Sequence, residues 1–161
     1  EVGCGGGRED RIVCDLAQRI RRLRPDVEIL EASRGAVADH LSACAAPAVV
    51  VELHCNAGGG DYALVCWYPG SALGQQIAAR VAQAYSAVLA RVLCHMADDR
   101  WPRVARCLRP YYELPGQRTG ILVEIGFIDN PLHARLFEDD GLNDIARAIA
   151  AGLSDRGGAH A

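Results

Sequence analysis

Apolar positions set out the elements before any chemistry is considered. Ile12, Val13, Leu16, Ile20 and Leu23 recur at helical spacing and define one face. The pattern predicts a helix opened by Glu9 and stopped by Pro25, after a Gly-rich loop over residues 1–7. Val27 to Leu30, set among acidic residues, reads as a half-buried strand, and a helix of small residues is expected over 35–45. Ala48 to Leu53 is a short Val-rich run, the signature of a buried central strand. It ends at His54 and is followed by a loop at glycines 58–60. Tyr62 to Tyr68 predicts another strand, closed by Pro69-Gly70, and Ser71 is placed to cap a long helix running to about Leu93. Residues 95–118, with several prolines and aromatics, read as irregular. Ile121 to Ile125 predicts a second buried strand, Pro131 starts a short helix, and a last helix is expected over 141–153. Strands alternate with helices, so the expected fold class is α/β. The expectation is a mostly parallel sheet covered by helices on both faces, a single domain over 1–153 and a disordered tail over 154–161.

Composition narrows the classes of function. The chain has 161 residues, half of them hydrophobic and 23% charged, which suits a globular domain with a substantial core. No apolar run approaches the ~20 residues that span a bilayer, so no membrane span is expected. No secretory leader is visible at the start. The net charge is −3, and a mildly acidic chain argues against a dedicated nucleic-acid binder. The densest basic run, Arg19, Arg21, Arg22 and Arg24, falls at the end of the first helix, where cations suit the helix dipole. The seven cysteines form no C-x-x-C pair. They read mainly as buried free thiols, with room for one or two disulfides.

Ligand sites of open α/β sheets lie at the carboxyl ends of the strands. Two predicted strands deliver ionisable groups there: His54 in VVVELHCNAGGG and Glu124 in ILVEIGFIDN. A carboxylate in an apolar run needs a partner, a metal, or a raised pKa suited to acid–base work. Glu9, in the first turn of the first helix, is the third candidate. Each has an ordinary reading too: dipole placement for Glu9, a satisfied strand-end histidine for His54, a paired core carboxylate for Glu124. Together they offer zinc-type ligands and a general base.

Three segments in register carry a family resemblance. GCGGGREDRIVCDLAQRI, VVVELHCNAGGG and ILVEIGFIDNPLHARLF resemble the Gly-rich loop, the Ser-Ile-His-x-Asn-Ala strand and the Val-Glu-x-Gly-Phe-x-x-Asn strand of the Amidase_3 family of N-acetylmuramoyl-L-alanine amidases. EASR is similar to the Thr-Arg after that family's second strand. The resemblance covers residues 3–153. It implies that Glu9 and His54 are zinc ligands, that Glu124 is the catalytic glutamate, and that Asn56 and Asn130 shape the site. The implied substrate is peptidoglycan or a muropeptide, cut between the lactyl group of N-acetylmuramic acid and L-alanine. The implied location is the cell wall, periplasmic or extracellular, and a regulatory protein partner is compatible with it.

The chain also departs from that pattern. The Gly-His-Gly-Gly motif that supplies a further histidine is not in this sequence; by alignment, that histidine and its strand would precede residue 1. Cys4, His40, His95 and His133 are the other candidates for a third ligand, although His133 is expected on a solvated helix surface. The segment after Arg34 is short against the family, and loss of a central strand would expose a sheet edge. A competing expectation is an amidase-like domain without chemistry, acting as a wall-binding or regulatory module. A zinc peptidase of the carboxypeptidase type is disfavoured, because no His-x-x-Glu pair precedes His54. Trp67-Tyr68 and Tyr111-Tyr112 could stack on sugar rings, against an ordinary packing role.

Overall fold

A computed structural model describes residues 7–30, 34–43, 49–68, 70–92, 103–106 and 119–154. In chain order the elements are α1 (Arg8–Leu23), α2 (Arg34–Ala43), β1 (Val49–Asn56), β2 (Leu64–Trp67), α3 (Ala72–Val92), β3 (Arg103–Arg106), β4 (Thr119–Phe127), a 3-10 helix (Pro131–Phe137) and α4 (Asp139–Ser154).

The strands form one sheet in the order β1-β4-β2-β3. β1 runs parallel to β4 and β2 runs parallel to β3, but β2 and β4 are antiparallel. Two of the three pairings are thus parallel and one is antiparallel, so the sheet is mixed. Because side chains alternate across a strand, the faces separate cleanly. Val51, Cys55, Val65, Ile121, Val123 and Ile125 join the main apolar cluster with α1, α3 and α4. Cys66, Leu122 and Leu64 make a small cluster of their own on the opposite face. Among the described residues, α1, α3 and α4 thus pack on one face, and no helix joins the small cluster on the other.

Local chemistry explains the element ends. Ser71 Oγ accepts from the Gly74 N–H at 2.9 Å, the expected cap of α3. The Gly7 N–H donates to Asp10 at 3.1 Å, and acidic Glu9 and Asp10 occupy the first turn of α1. Tyr85 is fully buried, and its hydroxyl donates to the Ile125 carbonyl, fastening α3 to β4 behind the site. Arg19 bridges Asp15 and Asp139, joining α1 to α4, while Arg24 pairs with Asp26. The basic run is thus partly a set of packing contacts.

Two expectations fail for physical reasons. Val27 to Leu30 is not a strand: no described strand pairs with it, and the Val27 N–H turns back to the Arg24 carbonyl. Alternation without a ladder partner does not make a strand. Conversely, Arg103–Arg106 is a strand inside the stretch read as irregular. Its Arg-Val-Ala-Arg sequence has no apolar run; backbone pairing to β2 at the sheet edge defines it. The tail residues 155–161 lie outside the described residues. No helix among the described residues is long and apolar enough to cross a membrane.

Candidate active site

The face of the sheet that lacks α1, α3 and α4 carries the ionisable residues. His54 on β1 and Leu64 on β2 are the Cα partners of Glu124 on the central β4, so Glu124 sits between them in one row. Glu9 approaches from the first turn of α1. Its Oε1 accepts the Cys55 N–H at 2.9 Å and lies 3.4 Å from His54 Nδ1. All three candidates from the sequence are therefore together. Glu9 also has the ordinary role considered for it, since it satisfies a backbone N–H of an edge strand.

Glu124 is half-buried, and its Oε2 is buried with no hydrogen-bond partner among the described residues. Leaving such an oxygen unpaired costs free energy, and the burial pushes the Glu124 carboxyl above its ordinary value. His54 opposes that shift and the charge of Glu9 adds to it. A carboxyl with a raised pKa in a polar row is suited to carrying a proton.

Cys55, next to His54, faces the helical layer. Burial, with help from Glu9 and Glu124, pushes its thiol up to about 12. Only the thiolate is a nucleophile or metal ligand, so Cys55 is a small core residue. Cys55 and Cys66 are buried and are not disulfide-bonded. Cys14 is disulfide-bonded.

The other histidines are placed elsewhere. His40 lies 3.3 Å from Glu28. His133 is not solvated as expected but fully buried: its Nδ1 accepts the Phe127 N–H at 2.9 Å and its Nε2 lies 2.9 Å from Asp61. The short helix turns inward there because Gly126 leaves room for the ring; a Cβ at that position would sit 2.7 Å from His133 Nδ1. Cys4 and His95 lie outside the described residues. No group of three or more metal-ligating side chains is found among the described residues.

Asn56 Oδ1 accepts from the Ala57 N–H, and Asn130 caps the 3-10 helix through Leu132 while its Nδ2 donates to the Gly60 carbonyl. Sequence reasoning missed Asp61, Asp129 and Glu52. Asp129 accepts from the Gly58 and Gly59 N–H groups, both at positive φ, which glycine alone adopts without strain. Glu52, where the resemblance places Ser, is 7% exposed and accepts the Tyr68 hydroxyl. The apolar run around it offered the same signal that singled out Glu124. Tyr68 is buried in that contact, and Trp67 packs against the main core. Both contacts are packing contacts; Tyr111 and Tyr112 lie outside the described residues.

The sequence matches no family model and no curated protein. Solved structures match closely in shape. The fold is that of the catalytic domains of N-acetylmuramoyl-L-alanine amidases. An N-acetylmuramoyl-L-alanine amidase from Clostridium difficile 630 superposes with a TM-score of 0.66 at 15% identity, covering 94% of this chain and 91% of the other. The catalytic domain of the CD27L endolysin targeting Clostridia Difficile gives 0.65 at 20% identity, covering 94% and 86%. The CwlD amidase from Clostridioides difficile, solved in complex with the GerS lipoprotein, gives 0.62 at 19% identity, covering 92% and 85%.

Proposed function

We propose that this chain hydrolyses the amide bond between the lactyl group of N-acetylmuramic acid and L-alanine in peptidoglycan, as a zinc-dependent N-acetylmuramoyl-L-alanine amidase. The observation that carries this reading is the row of His54 and Glu124 in register, closed by Glu9 at 3.4 Å from the imidazole. It stands on a fold shared with peptidoglycan amidases over nine-tenths of the chain.

The donor chemistry present fits zinc. One imidazole nitrogen and one carboxylate oxygen meet beside an unpaired carboxylate oxygen, and zinc takes such N and O ligands. His54 and Glu9 would hold the metal; a third donor has to come from outside the described residues. Bound there, zinc would supply Lewis acidity toward the scissile carbonyl and lower the pKa of a coordinated water to ~7. Glu124 takes the proton of the attacking water and delivers it to the leaving nitrogen of L-alanine. Its raised pKa fits both halves of that transfer: the carboxyl binds the proton readily and still releases it to an amine. The Cys55 N–H fixes the Glu9 carboxylate where it meets the His54 imidazole.

The substrate places the chain at the cell wall, periplasmic or extracellular, and the Cys14 disulfide is compatible with an oxidising compartment. A regulatory protein partner belongs to the same proposal, by analogy with the CwlD complex. The second reading, an amidase-like module without chemistry, is favoured by the incomplete ligand set among the described residues. Zinc stoichiometry measured together with Glu124→Gln separates the two. One zinc per chain, peptide release by the parent and none by the variant support the enzyme. Absence of zinc and of release supports the module.

A further inference from the structure

The ladder between β1 and β4 is irregular just beyond the reactive row. His54 pairs with Glu124, but Asn56 pairs with Phe127, so two steps on β1 face three on β4. β4 thus carries one extra residue, a bulge, starting right after Glu124. The Phe127 N–H at its end donates not to β1 but to His133 Nδ1 at 2.9 Å, and pairing resumes with the Ile128 N–H on the Asn56 carbonyl.

An N–H aimed at Nδ1 requires a lone pair there, so the His133 proton sits on Nε2. Nε2 faces Asp61 Oδ1 at 2.9 Å, and a carboxylate is an acceptor only. Asp61 therefore selects the one tautomer in which His133 can hold the Phe127 N–H. The ring is completely buried, while Asp61 reaches it from a half-exposed position. Asp61 belongs to the loop that follows His54, and His133 to the short helix that follows Glu124. Further bonds, Asp129 to Gly58 and Gly59 and Asn130 to the Gly60 carbonyl, tie the same two segments.

We propose that Asp61 and His133 are positioning residues for Glu124: Asp61 fixes the imidazole tautomer, and His133 in that tautomer holds the β4 bulge that sets Glu124 beside His54. The inference rests on the amidase reading and deepens it. Neither residue touches the substrate. Small misplacements of a proton-transfer group are costly, up to ~10²-fold for about 1 Å.

The test uses Asp61→Leu, which removes the acceptor at a half-exposed position, and Asp61→Asn, which keeps an oxygen there. Peptide release from muropeptide is measured with hydrogen exchange at the Phe127 amide and the imidazole ¹⁵N shifts of His133. Asp61→Leu should lower kcat by roughly 10- to 100-fold with KM nearly unchanged. It should also mix the His133 tautomers and speed Phe127 exchange, while Asp61→Asn restores most of kcat and of the exchange protection. Wild-type kcat in Asp61→Leu, or a loss no larger than its unfolded fraction, overturns the proposal. So does an Nδ1–H tautomer in the parent. A parent that releases no peptide refutes the amidase reading instead. The tautomer and the Phe127 exchange rate then decide the clamp by themselves.

Discussion

In the proposed reaction, Glu124 is the residue that moves the proton. Glu124→Gln keeps size and shape but can neither accept nor deliver a proton. Steady-state release of stem peptides should fall by roughly 10²–10⁴-fold, with thermal unfolding shifted little. Gly126 makes a complementary prediction about geometry. Gly126→Ala drives a Cβ to 2.7 Å from His133 Nδ1, within a fully buried ring contact. Overpacking of that kind costs about 1–3 kcal/mol, which urea denaturation will read. At this scale the sequence was informative where burial and charge conflicted: Glu124 in an apolar strand and His54 at a strand end were both found that way. It misplaced His133, which was expected to be solvated and is fully buried. Its spacing after Asn130 marks a helix start, and nothing in a single sequence says that the glycine seven positions before it opens a slot for the ring.

The elements place these residues by their pairing. The parallel register of β1 with β4 sets His54 opposite Glu124, and α3 locks β4 from behind through the Tyr85 hydroxyl on the Ile125 carbonyl. Tyr85→Phe leaves that buried carbonyl without its partner and should cost about 1–3 kcal/mol in chemical denaturation. Asp129 governs the acid side of the loop clamp. Its bonds from the Gly58 and Gly59 N–H groups hold its pKa below the ordinary 3.8. The stability it contributes is therefore complete above the unfolded-state value and is lost as pH falls through the lower folded value. Asp129→Asn should flatten the decline of stability below ~pH 4, measured by denaturation at a series of pH values. Helices and the two long strands were legible from periodicity and Val-rich runs. The direction of β2 and the existence of β3 were not. Both depend on which backbone lies alongside, and Arg-Val-Ala-Arg carries no pattern of its own.

For the whole molecule, the fold agrees with the three sequence segments that resembled a peptidoglycan amidase, although identity to the solved structures is only 15–20%. What is shared at that distance is the fold; in this chain two strand ends and a helix start bring a carboxylate, an imidazole and a second carboxylate together. The incomplete metal set among the described residues makes the chemistry itself the decisive observation. The most direct test is mass spectrometry of defined muropeptide after incubation with the zinc-supplemented protein. Hydrolysis at the proposed bond yields free stem peptide with a new L-alanine amino terminus and a muramic acid carrying a free lactyl carboxyl. Intact muropeptide, or cleavage at any other bond, would contradict it.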